Sequence, residues 1–264
     1  MHQTKTLWVF SKCFCYTGHN DLYLIGILSC ISDIFNIIVP AFGSTTITPI
    51  MAGFVGAKDA IAVATVFYCI VNIPRVYLFR KYTNWHLVRQ LLPASLIGAL
   101  IGSIFLVGVE PVLISLIILS FLVYFIYKKV TSMYSSKPKK EKKPSKYGAT
   151  SIGLLSGTLQ GTGVSGADLR NSYLYSKGLT IQDIHGTTAW IGLMNFALAS
   201  GVRVVSGDLT FAMAWPVLAT FPFIVLATYI GRHYSLKMPK RVQDYIVLTV
   251  MIVALISLTI SFFR

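Results

Sequence analysis

Long apolar runs separated by short polar or basic segments recur along this chain, and six of them read as clean membrane spans: Ala57–Leu78, His86–Val107, Val112–Val130, Ile181–Val204, Ala212–Gly231 and Tyr245–Phe262. Each is long enough to cross the roughly 30 Å of a bilayer's hydrocarbon core as a helix. Two further apolar stretches, Leu22–Val55 and Tyr147–Tyr175, are interrupted by Gly, Pro, Ser and charged residues. Non-helical backbone at membrane depth is tolerated only where protein or a cavity covers it, so both read as broken helical hairpins in the interior of a bundle.

The basic residues orient these elements. Sixteen of the 23 Lys and Arg residues fall in three stretches: Arg75, Arg80, Lys81 and Arg89; the eight lysines from Lys128 to Lys146; and Arg232, Lys237, Lys240 and Arg241. Short basic loops mark the cytoplasmic face. This bias accounts for most of the net charge of +14 without any need for nucleic acid. With the basic loops inside, Tyr147–Tyr175 must contribute an even number of crossings, as a re-entrant hairpin or as two complete spans; Asp168, Arg170 and Asn171 on its second arm favour the hairpin. Leu22–Val55 should begin and end outside, which places Val109 outside and Lys140 and Lys237 inside.

Each half then holds one hairpin and three spans, and because three is odd the second half lies inverted relative to the first. The expected fold is an all-α polytopic membrane protein of two inverted repeats: residues 1–20 an N-terminal segment, 21–130 the first repeat, 131–146 a basic cytoplasmic linker and 147–264 the second repeat. Self-similarity agrees, since Gly43, Thr65, Asn72 and Arg80 superpose at a constant offset on Gly166, Thr188, Asn195 and Arg203. Inverted repeats of three spans recur in secondary transporters, with binding near the bilayer midplane at the repeat interface.

Composition narrows the function. Only 12% of residues are charged, about half the share in a soluble domain. No Walker motif is present, which argues against ATP hydrolysis. The histidines His2, His19, His86, His185 and His233 are scattered, and Cys13, Cys15, Cys30 and Cys69 lack metal-site spacing, so no metal, cofactor or enzymatic centre is expected. No cleavable signal peptide is expected either.

Phe42-Gly43-Ser44 followed by Pro49, AVAT at Ala62–Thr65, Asn72, Asn84-Trp85 and GALIG at Gly98–Gly102 form an ordered series in the first half; GTGVSG at Gly161–Gly166, IHGTT at Ile184–Thr188, Asn195 and Gly207-Asp208 repeat it in the second. This twice-repeated order resembles the TauE/SafE sulfite exporter family of membrane transporters. The resemblance implies secondary transport of sulfite, an organosulfonate or a related small anion across a cell inner (plasma) membrane. The sequence departs from the family pattern where Asp168, Arg170 and Asn171 occupy positions that are apolar in it.

The chemistry of anion binding selects candidates. A broken helix offers free backbone N–H groups and the positive end of its dipole, so Gly43, Ser44, Thr45 and Thr46 and, opposite them, Gly163, Val164, Ser165 and Gly166 are expected to meet near the membrane centre. Small residues there could equally serve close helix packing. Thr65 with Asn72, and Thr188 with Asn195, lie seven residues apart on one helix face each, either facing the site or tying the bundle together. Arg170 attracts the anion or pairs with Asp33 or Asp168, because a cation within a span costs at least about 2.5–3.5 kcal/mol. Asp33, Asp168 and His185 are candidates for coupling to a proton or sodium ion, with packing the alternative for His185. Arg80 and Arg203 could attract anions at opposite faces or snorkel. An anion channel is the competing reading, a membrane-embedded enzyme a more distant one. Expected partners are the small anion, membrane lipid and a coupling ion, the protein being a monomer or a homodimer.

Overall fold

A computed structural model describes residue 48, residues 57–134, 148–163 and 166–235, and scattered helical positions between 242 and 259. Most of the first hairpin, with Asp33 and Gly43–Thr46, lies outside the described residues, as do Val164, Ser165, most of the basic linker and most of the span expected at Tyr245–Phe262. The described residues are helices and turns, with no strand among them.

Among the described residues three helices are long and apolar enough to cross a membrane: α1 (Ala57–Phe79, continued by a 3₁₀ turn to Tyr82), α2 (Trp85–Val107) and a later helix, Ile181–Val205. At 1.5 Å per residue a 23-residue helix is about 35 Å long, enough to span the core with slight tilt. Helix α3 (Pro111–Tyr134) follows, its apolar part running from Pro111 to Tyr127. The second apolar-but-interrupted stretch forms α4 (Gly148–Gly161) and α5 (Ala167–Ser176), followed by α6 (Ile181–Val205). At 14 and 10 residues, α4 and α5 rise only about 21 and 15 Å.

The expected span Ala212–Gly231 is bent rather than one straight helix. It consists of α7 (Phe211–Ala219) and α8 (Phe221–Ser235), bent by 46° and together apolar enough for one crossing. Pro222 lacks the N–H that would bond the carbonyl of Leu218. Thr220 closes α7 instead, donating its hydroxyl to the Val217 carbonyl at 2.7 Å, and its own carbonyl accepts from the Ile224 N–H at 3.0 Å to start α8.

Burial runs opposite to that of a soluble bundle. On α2 the large residues Ile97, Ile101, Ile104 and Phe105 are exposed, while Ser95, Gly98, Ala99, Gly102 and Ser103 are buried. Lipid solvates the large apolar side chains as well as a core would, so the interior is left to small residues that let helix backbones approach. Helix α4 supplies the complement. A Cβ at Gly98, Gly102, Gly157 or Gly161 would collide with the backbone oxygen of Leu154, Thr158, Ser95 or Ala99 respectively. The hairpin of the second half is thus seated on a helix of the first.

Contacts give the directions. Lys58 meets Asp208, Tyr68 meets Phe196, Asn72 meets Gly192 and Phe79 stacks on His185, so α1 and α6 run antiparallel. Asn84 and Trp85 meet Thr187 and Trp190, and Ser95 meets Asn195, so α2 and α6 run parallel. Gly153 lies against Leu91 and Gly161 against Ala99, so α4 also runs with α2. Tyr173 and Leu174 of α5 return to Leu87, Val88 and Ile184. The chain therefore enters and leaves the α4–α5 hairpin at the same end of the bundle, where α2 begins.

Candidate functional site

The apex of that hairpin lies between Gly161, the last residue of α4, and Ala167, the first of α5. Gly163 adopts φ +73°, a conformation that side chains disfavour, and a Cβ there would strike the Ile61 side chain. Its carbonyl accepts a hydrogen bond from the Thr48 hydroxyl at 3.2 Å. Thr48 also hydrogen-bonds the Tyr68 hydroxyl on α1. A residue five positions after Gly43 thus touches the second break directly. Gly166 caps α5 with no side-chain hydrogen bond to its first turn, which leaves early backbone N–H groups of α5 without that usual partner.

Beside the apex lies a buried chain of polar side chains. Arg170 on α5, 2% exposed, donates from Nη1 to Gln160 Oε1 at 3.1 Å. Asn195 on α6 donates from Nδ2 to the same oxygen at 2.6 Å and to Ser95 Oγ on α2, also at 2.6 Å. Four elements, α2, α4, α5 and α6, therefore converge on one buried polar network. Among the described side chains no carboxylate pairs with Arg170, and its Nε has no hydrogen-bond partner. Asn195 Oδ1 and Asn171 Oδ1 are likewise buried without one. Ser95 is the eleventh of 23 residues of α2 and Asn195 the fifteenth of 25 of α6, so the network sits near mid-span.

The remaining candidates are placed as follows. Thr65 is buried on α1 and donates to the Ala62 carbonyl at 2.7 Å; Asn72 donates to the Tyr68 carbonyl at 2.6 Å and packs on Gly192. Thr188 donates to the Ile184 carbonyl at 2.7 Å and is half-buried, whereas its neighbour Thr187 is fully buried and accepts from the Asn84 N–H at 3.1 Å. His185 is buried against the Phe79 ring, 5.2 Å between centroids. Asp168 lies in the first turn of α5. Arg80 is exposed and covers the Tyr77 ring.

Arg203, its counterpart by offset, is buried. Its Nη1 pairs with Asp208 at 3.3 Å, and Lys58 pairs with the other Asp208 oxygen at 2.9 Å. This cluster joins the start of α1 to the end of α6, at the end of the bundle opposite the entry of the α4–α5 hairpin.

Sequence reasoning missed Gln160 and Ser95. A lone Gln or Ser within a span carries no charge to demand explanation. The available signal was Gly153, Gly157 and Gly161 at spacings of four, which mark α4 as a close-packed helix and so place Gln160 inside.

A profile of the sulfite exporter TauE/SafE family matches residues 25–258. No curated protein and no solved structure matches the chain. The match spans most of the sequence, and the chain belongs to the TauE/SafE family. It is accordingly a multi-pass membrane protein of a transporter family, with a small anion as substrate.

Proposed function

We propose, from membership of that family, that the protein is a secondary carrier of sulfite, an organosulfonate or a similar small oxyanion, and that the anion binds at the apex of the α4–α5 hairpin. The observation that carries this reading is Arg170: a guanidinium 2% exposed, mid-bundle, whose one hydrogen-bonded partner among the described side chains is a neutral amide. A cation within a membrane is costly and needs a partner that offsets the cost. A passing anion supplies one, by charge-assisted hydrogen bonds that are shorter and about twice as strong as neutral ones.

The other donors suit the same ligand. Asn195 Nδ2 lies beside Arg170 Nη1 on a shared acceptor. The early N–H groups of α5 border the apex and add dipoles without adding fixed charge. Recognition by one fixed cation and several dipoles can bind an anion and still release it, as a carrier must.

The antiparallel pairing of α1 with α6 supports inverted repeats, because equivalent helices of two inverted halves meet antiparallel about a two-fold axis. The shortness of α4 and α5, with entry and exit at one end, supports a re-entrant hairpin. Alternating access then consists in exposing the apex to each side in turn, the coupling ion being a proton or sodium.

The test is equilibrium binding of sulfite to the purified protein and to Arg170→Gln. Wild type should bind saturably and the variant more weakly by about tenfold or more. Equal affinities would move Arg170 to a structural role and remove the anion from this site.

A further inference from the structure

Gln160 Oε1 receives two donors at once, Arg170 Nη1 at 3.1 Å and Asn195 Nδ2 at 2.6 Å. Convergence of a guanidinium N–H and an amide N–H on one acceptor is the environment that an anionic oxygen demands. A neutral amide fills it only in part: Arg170 Nε, on another edge of the same guanidinium, is buried with no partner among the described residues. A guanidinium presents five donors in a rigid fork suited to two oxygens at once, and Gln160 offers one.

The three partners also differ in how they are held. Asn195 lies mid-helix and is gripped from the far side by Ser95. Arg170 is enclosed in α5. Gln160 is the penultimate residue of α4. Rotation of its side chain alone would release both donors at once.

We infer that Gln160 is an internal stand-in for the substrate: in the anion-free protein its amide oxygen occupies the place of a substrate oxygen, and the substrate displaces it. This rests on the reading of Arg170 as the anion-binding cation. The stand-in keeps the buried guanidinium satisfied while the site is empty. It also sets selectivity. A ligand gains over Gln160 only if it brings the negative charge that a neutral amide oxygen lacks. A sulfite or sulfonate oxygen meets that condition by accepting from Arg170 Nη1 and Asn195 Nδ2 together.

The experiment is sulfite titration of the purified full chain, followed by thermal unfolding and by equilibrium binding, for wild type, Gln160→Met, Gln160→Glu and Arg170→Gln. Gln160→Met keeps the side-chain length and removes the competing oxygen, so its sulfite affinity should rise by about threefold or more, the cost of displacement being gone. Gln160→Glu gives Arg170 a permanent counter-charge. Its Tm without sulfite should exceed that of wild type, and its sulfite affinity should fall by about tenfold or more. Weakened binding by Gln160→Met, or wild-type binding by Gln160→Glu, would overturn the displacement. Should Gln160→Met fail to fold, Gln160→Glu decides alone. Wild-type affinity in Arg170→Gln would mean that the site itself is misplaced, whereas loss there with weakened binding in Gln160→Met would condemn only the stand-in.

Discussion

A side chain's contribution inside a membrane depends on whether its alternative partner is water or hydrocarbon, and Arg170 and Ser95 mark the extremes. Arg170 was legible in the sequence because charge within a hairpin arm is costly whatever the fold. Its bond to the neutral Gln160 was not, being visible only once α4 and α5 are folded together; Asp33 and the side chain of Asp168 lie outside the described residues. Thr65, Asn72 and Thr188 illustrate another limit: helical spacing put them on one face, yet each donates to its own helix's backbone. Ser95→Ala removes one acceptor from Asn195 and should cost about 0.6 kcal/mol, at most about 1.7, measured as a small fall in detergent Tm with sulfite affinity within a few-fold of wild type. Asn195→Leu removes both bonds and leaves Ser95 and Gln160 without that donor. It should lower sulfite affinity by about tenfold or more, read in the same titration.

At the scale of elements, the spans were readable because apolar length is dictated by the bilayer and needs no tertiary knowledge. The broken second hairpin was readable for the converse reason, that Gly163, Gly166 and Arg170 cannot sit in a lipid-facing helix. The bend at Thr220 was not, because apolar residues continue through Pro222 and hydropathy carries no direction. The seating of α4 on α2 is the strongest element-level feature, backbone against backbone along Gly98, Gly102, Gly157 and Gly161. It joins the second hairpin to a helix of the first half. Gly157→Ala should force the helices apart and lower the Tm sharply. Gly201→Ala on α6, where an added Cβ meets nothing within 4 Å, should leave the Tm unchanged or raise it by the helix preference of Ala, up to about 1 kcal/mol. Equal destabilisation by both would contradict the close approach.

At the scale of the whole molecule, the two ends of the bundle are closed differently. One end holds the Phe79–His185 and Trp85–Trp190 contacts; the other holds Arg203 and Lys58 on Asp208. Asp208→Asn would leave Arg203 buried without its carboxylate, a change of about 3–5 kcal/mol for a buried pair, and should appear as a large loss of Tm that Asp208→Glu largely restores. Sidedness follows from the same frame. A cysteine at exposed Glu110 should label from outside and one at exposed Lys177 from inside; the reverse would invert the assignment. The most direct test of the account as a whole is counterflow: proteoliposomes loaded with unlabelled sulfite are diluted into a trace of labelled sulfite. A carrier with one site exposed alternately predicts a transient accumulation of label above its equilibrium level, abolished in Arg170→Gln. Label that rises monotonically to equilibrium regardless of the internal sulfite, or that never enters, would contradict it.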